Sequence, residues 1–113
     1  MTNQNTIRFV RSIIPVCILL IQSVVTVSNE VHIPLLDVQN IIERLKIEEQ
    51  MSHEAAVNSV IELVHYYTTI KHGIHGSPSA MVDKPWHAHI LNTPMYMEFT
   101  KTELGHYVHH IPY

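Results

Sequence analysis

Two helical hydrophobic repeats in the middle of the chain constrain its fold more than anything else. In "LDVQNIIERLKIEEQ", Val38, Ile41, Ile42 and Leu45 recur at i, i+3, i+4 and i+7, with Glu43, Arg44, Lys46 and Glu48 between them. That is the pattern of an amphipathic helix. "SHEAAVNSVIELVHYYTTIKHG" repeats it with Val57, Val60, Ile61, Val64 and Tyr67, opens on Ser52 as N-cap and closes before Gly73. Only Met51 and Ser52 separate the two runs, which predicts an antiparallel helix pair. An extended "EVHIPLL" precedes the pair.

The second half is punctuated more often. "HGIHGSPSA" bunches Gly73, Gly76, Ser77, Pro78 and Ser79 into a loop. Asp83 is then expected to cap a short third helix, with Pro85 in its first turn. "NTPMYMEFTKTELG" predicts a fourth helix: Thr93 caps, Pro94 takes the first position, and Gly105 suits a left-handed exit. The closing "HYVHHIPY" alternates in type and is expected to run extended across the bundle. The fold class that follows is all-α, about four helices with an extended C-terminal tail packed across them.

The beginning of the chain reads differently. Arg8 and Arg11 precede an uncharged apolar run from Ile13 to Val27, and Asn29 and Glu30 follow. That order is expected of a secretory leader over residues 1–28, and the run falls short of the roughly 20 residues that a spanning helix prefers. Residues 29–113 then form a single secreted or luminal domain; an uncleaved leader would instead make it a single-pass anchored one. Without the leader, five basic residues stand against ten acidic ones. Such a balance is a poor match for phosphate backbones, so nucleic acid is not expected as a partner. Nor is a membrane, unless the leader is retained. The sole cysteine, Cys17, lies in the leader, so the domain must hold together through packing, a partner or a metal rather than disulfides.

The ten histidines bear on that choice, above all His87, His89, His106, His109 and His110 near the end of the chain. The segments "VDKPWHAHILNTPMY" and "LGHYVHHIPY" together resemble the end of the glycine-rich-domain-containing-protein-like family: an Asp, Trp-His-x-His, a Thr and a Tyr, then Gly and His-His-x-Pro. On this chain the pattern falls on Asp83, Trp86, His87, His89, Thr93, Tyr96, Gly105, His109, His110 and Pro112, and the match runs from about Leu35 to Tyr113. The resemblance implies a small helical domain and names no reaction. The glycine-rich region is missing, and Thr100 stands where many relatives carry a cysteine, so thiol chemistry is not carried over.

Helix geometry divides the motif. Residues two apart point about 200° from each other, so His87 and His89 cannot both ligate one ion from a regular helix. His89 shares the inner face with Trp86 and is expected there as a core imidazole bonded to a backbone carbonyl. His87 lies at the margin, four residues after Asp83, where a carboxylate would orient a metal-binding ring. If the tail crosses the third helix, His109 or His110 would meet His87 or His89. Those four are the candidate ligands, two or three of which would meet in one site, with zinc first and copper, nickel or iron open; a metal-free histidine network is equally open. Asp83, Trp86, Thr93, Tyr96, Gly105 and Pro112 are its expected structural support. No "HExxH" or paired-cysteine signature accompanies it. The leading functional reading is a non-catalytic binding or structural module whose histidine cluster holds a divalent metal. A small metal-dependent enzyme with no assignable catalytic residue is the rival, and a pH-responsive interaction module is the third class. Of the remaining histidines, His32, His53, His65, His72 and His75, His65 reads as a boundary residue and His72 and His75 as exposed ones, and the methionines Met95 and Met97 read as core or surface gap-fillers.

Overall fold

A computed structural model of the protein describes residues 30–110, and the helical domain is the unit Val31–Tyr113. The expected leader, Ile111, Pro112 and Tyr113 lie outside the described residues. The domain is all-α: α1 (Leu35–Glu48), α2 (His53–Lys71), α3 (Ala80–Leu91) and α4 (Thr93–Phe99), the last continuing into a π-helical turn over Thr100–Leu104. None of these helices is long and apolar enough to cross a membrane.

The lead-in and α1 follow the sequence pattern closely. Val31 and Ile33 are buried while His32 between them is exposed, as alternation in an extended segment requires. The Val31 amide donates to Thr68 Oγ1 at 3.0 Å, which fastens the segment to α2. α1 buries Ile41 and Leu45, and Val38 and Ile42 pack at the margin. Gln50, at φ 56°, turns the chain, and the Ser52 hydroxyl accepts from the Ala55 amide at 3.1 Å to start α2.

The buried stripe of α2 is displaced from the expected one. Ala56, Val60, Leu63, Tyr67 and Ile70 face the core, whereas Ile61 is 46% exposed and Val57 and Val64 are only half-buried. Small Ala56 and Ser59 are buried on the inner face, so counting only large apolar residues rotates the stripe. α2 ends as a Schellman motif: the Ile74 amide donates to Thr69 O and the Gly73 amide to Ile70 O, both at 2.9 Å, with Gly73 at φ 83°.

Two caps differ from expectation. α3 begins at Ala80, where Ser79 rather than Asp83 supplies the cap, accepting from the Val82 amide at 3.3 Å. Pro85 therefore sits inside α3, not in its first turn, and Asp83 keeps its carboxylate for another partner. Thr93 does not cap α4 either. Its hydroxyl donates back to Ile90 O at 3.1 Å, and Asn92 alone separates α3 from α4. Pro94 does occupy the first turn, and Gly105 leaves the π turn at φ 86° as the sequence predicts.

From Gly105 the chain runs without regular structure over α3. Tyr96 holds it there. The Trp86 indole N–H donates to the Tyr96 hydroxyl at 3.0 Å, and that hydroxyl donates to Val108 O at 2.6 Å. One buried oxygen thus joins α3, α4 and the tail. Replacing Tyr96 by Phe would keep the packing but leave the Trp86 N–H and the Val108 carbonyl without that partner, costing about 1–3 kcal/mol. Urea denaturation of Tyr96→Phe should show that loss, and amide exchange should rise over residues 106–110; a variant as stable as the parent would remove this bridge from the account.

Candidate functional site

The densest polar chemistry in the domain is buried. Asp37, Ile41 and Leu45 are spaced four apart and so share one face of α1. Pointing inward with that face, Asp37 is 4% exposed. Tyr67 on α2 is 0% exposed and His89 on α3 is 1% exposed. His89 joins them: its Nε2 lies 2.9 Å from Asp37 Oδ2, and its Nδ1 lies 2.7 Å from the Tyr67 hydroxyl. Phe99 packs against both rings, with centroids 4.8 Å from Tyr67 and 5.0 Å from His89.

The protonation states follow from the partners. Burial pushes the His89 imidazole below its ordinary value of 6.5, against the opposing pull of Asp37. A neutral ring has one N–H, and a carboxylate can only accept, so the proton is on Nε2 and donates to Asp37. Nδ1 then accepts from the Tyr67 hydroxyl. Burial also holds Tyr67 well above 10, with Tyr96 and Asp37 adding to the rise, so the phenol stays protonated as this arrangement requires. Asp37 lies in the first turn of α1, where the helix dipole favours a negative charge. The relay therefore runs from Tyr67 through His89 to Asp37 and ties α2, α3 and α1 together.

A second histidine–aspartate contact lies at the tail. Asp83 Oδ1 meets His110 Nε2 at 2.6 Å, and the His110 ring sits edge-on to Trp86 with centroids 4.6 Å apart. Sequence reasoning paired Asp83 with His87 instead. Because Ser79 caps the helix, Asp83 is free to receive the crossing tail. His87 is exposed, and its ring centroid is 6.4 Å from that of His110.

The four candidate metal ligands are thus distributed over three settings. His89 has both nitrogens engaged in the core, and its partners are a carboxylate and a phenol rather than the backbone carbonyl expected. His110 is held by Asp83, with His87 nearby. His109 is exposed and stacks edge-on with Tyr107 at 4.6 Å. Among the described residues, no three His, Cys, Asp or Glu side chains converge in a way that could hold a metal ion. Of the supporting residues, Trp86 and Tyr96 are buried in the core; Thr93 and Gly105 act at helix ends, and Pro112 lies outside the described residues. His32, His53, His65, His72 and His75 are exposed, Met97 is 52% exposed, and half-buried Met95 accepts the Asn40 amide through sulfur at 3.3 Å. Tyr96 is raised to about 12, chiefly by burial, against the lowering effect of the Trp86 hydrogen bond.

Asp37 was the residue that sequence reasoning missed. Its signal was present: an aspartate in register with Ile41 and Leu45 on an apolar face is a carboxylate carried into the core, where a partner is required.

Fold and site together define a small all-α domain locked by a buried tyrosine–histidine–aspartate relay and closed by its own tail. The chain belongs to the UCP032817-like family, whose model matches residues 29–113. No curated protein and no solved structure matches it.

The relay carries a pH dependence. With its folded pKa below its unfolded value of 6.5, His89 binds fewer protons folded than unfolded on the acid side. Its contribution to stability is therefore complete above 6.5 and lost as pH falls through the folded pKa. Thermal melts from pH 7.5 to about 5 should show stability falling on acidification, with a shallower fall in His89→Gln. Parallel pH profiles in the two proteins would contradict a buried neutral His89.

Proposed function

We propose that this chain is a non-catalytic interaction module whose motif residues build the fold and whose recognition is left to its surface. One observation carries the reading. The side chains best suited to acid–base chemistry lie inside the core, where Tyr67 and Asp37 engage both ring nitrogens of His89. Trp86 and Tyr96 likewise serve the tail. The resemblance to the glycine-rich-domain-containing-protein-like family supports the same reading, since Trp86, His89, Tyr96 and Gly105 of its pattern all have structural work here. The leader reading of residues 1–28 gives the module a secreted or luminal setting.

A divalent-metal reading has one observation in its favour: His87 approaches His110, and His110 already faces the Asp83 carboxylate. Two imidazoles would leave zinc's remaining tetrahedral positions to water or to a ligand from a partner. Elemental analysis of the domain purified without a histidine tag tests it, and one zinc, copper or iron per chain would favour this second reading.

Histidine footprinting with diethyl pyrocarbonate tests the main one. In the native protein the exposed His32, His53, His87, His106 and His109 should be carbethoxylated while His89 is protected until the chain unfolds. Modification of His89 at the rate of the exposed rings would mean that the imidazole itself is open to small molecules, and would favour the enzyme class.

A further inference from the structure

We infer that the groove between the start of α1 and α4 receives a lysine side chain of a partner polypeptide, with Asp37 and Glu98 taking its ammonium group. The groove has a volume of about 290 Å³, and its lining includes Pro34, Pro94, Met95 and Phe99 beside the two carboxylates. It thus combines apolar walls for a methylene stem with acceptors for a charged head, the division that a lysine side chain itself shows.

The argument turns on the second oxygen of Asp37. Oδ2 has the His89 N–H, but Oδ1 has no hydrogen-bond partner among the described residues, although the residue is only 4% exposed. A buried carboxylate needs a counter-charge or several donors. His89 cannot supply a full charge, because burial favours its neutral form. The dipole of α1 lends partial positive charge, but among the described residues no N–H reaches Oδ1. Glu98, on the far wall, makes no ion pair or side-chain hydrogen bond among the described residues, and no lysine or arginine lines the groove. Among the described residues the groove is therefore negative on both sides, with no cation in its lining.

An ammonium on an alkyl stem fits better than a bare metal ion, because most of the wall offers carbon rather than oxygen ligands. A polypeptide source fits better than a free amine. A second groove of about 510 Å³, lined by Met97, Lys101, His106 and Tyr107, shares Pro94 and Glu98 with the first. A chain that inserts its lysine beside Asp37 thus has room to continue across α4. The inference goes beyond the interaction-module reading and does not depend on it: His89 can be protected from modification whether or not this groove is filled.

The test is a carbon-13 NMR titration of the full chain as isolated, following the Asp37 and Glu98 carboxyl signals. N-acetyl-lysine N-methylamide is the probe, its norleucine counterpart supplies the stem without the charge, and n-butylammonium supplies the head and stem without a backbone. The lysine amide should give saturable shifts at both carboxyls in roughly the millimolar range, and the norleucine amide should bind at least about tenfold more weakly. Glu98→Gln, at an exposed position, should keep the parent melting temperature and weaken lysine binding several-fold; Asp37→Asn should abolish it where that variant folds. No saturable shift at Asp37, equal binding of norleucine, or undiminished binding by Glu98→Gln would overturn the proposal. Binding of n-butylammonium without the lysine amide would overturn the polypeptide source.

Discussion

The fold depends on His89 finding two partners of opposite character in the core. It stands between a phenol that can donate and a carboxylate that must accept, and a neutral imidazole protonated on Nε2 satisfies both. Removing the ring would leave a buried carboxylate without its donor, a much larger penalty than the loss of an ordinary hydrogen bond. Each partner comes from a different helix, so the relay fixes how α1, α2 and α3 sit together. Apolar contacts such as those of Ile41, Leu45, Leu63 and Phe99 add burial but are less particular about register.

A second chain of hydrogen bonds does for the tail what the relay does for the helices. Trp86 and His89 are three residues apart on α3 and share its inner side, yet they serve different connections. Trp86 reaches α4 and the tail through Tyr96, while His89 reaches α1 and α2. His87 points away from both and is exposed. The Trp-His-x-His spacing therefore makes physical sense without one shared site: it puts an indole and an imidazole on one helix face and leaves the middle histidine outside.

Much of the fold was legible in the sequence, and the parts that were not share a cause. The helix pair, the Gly73 and Gly105 exits and the buried position of His89 follow from periodicity and turn chemistry, which are local. The start of α3 was misplaced because Ser79 and Asp83 are both good caps, and only the arrival of His110 from 27 residues away decides that Asp83 is used elsewhere. The rotation of α2 is not legible in the apolar pattern because the buried Ala56 and Ser59 carry little bulk. The relay itself pairs residues 22 and 52 positions apart, beyond the reach of spacing arguments. Periodicity places Tyr67 and His89 in the core separately, and Asp37 is legible solely as a charge out of place on an apolar face.

The most direct measurement is the tautomer of His89, read at pH 7 from a long-range proton–nitrogen correlation spectrum of the histidine rings. The account predicts a neutral ring with the proton on Nε2 and an Nδ1 signal of the hydrogen-bond-accepting type. An imidazolium at that pH, or a neutral ring protonated on Nδ1, would contradict the Tyr67–His89–Asp37 arrangement on which the rest of the structure is built.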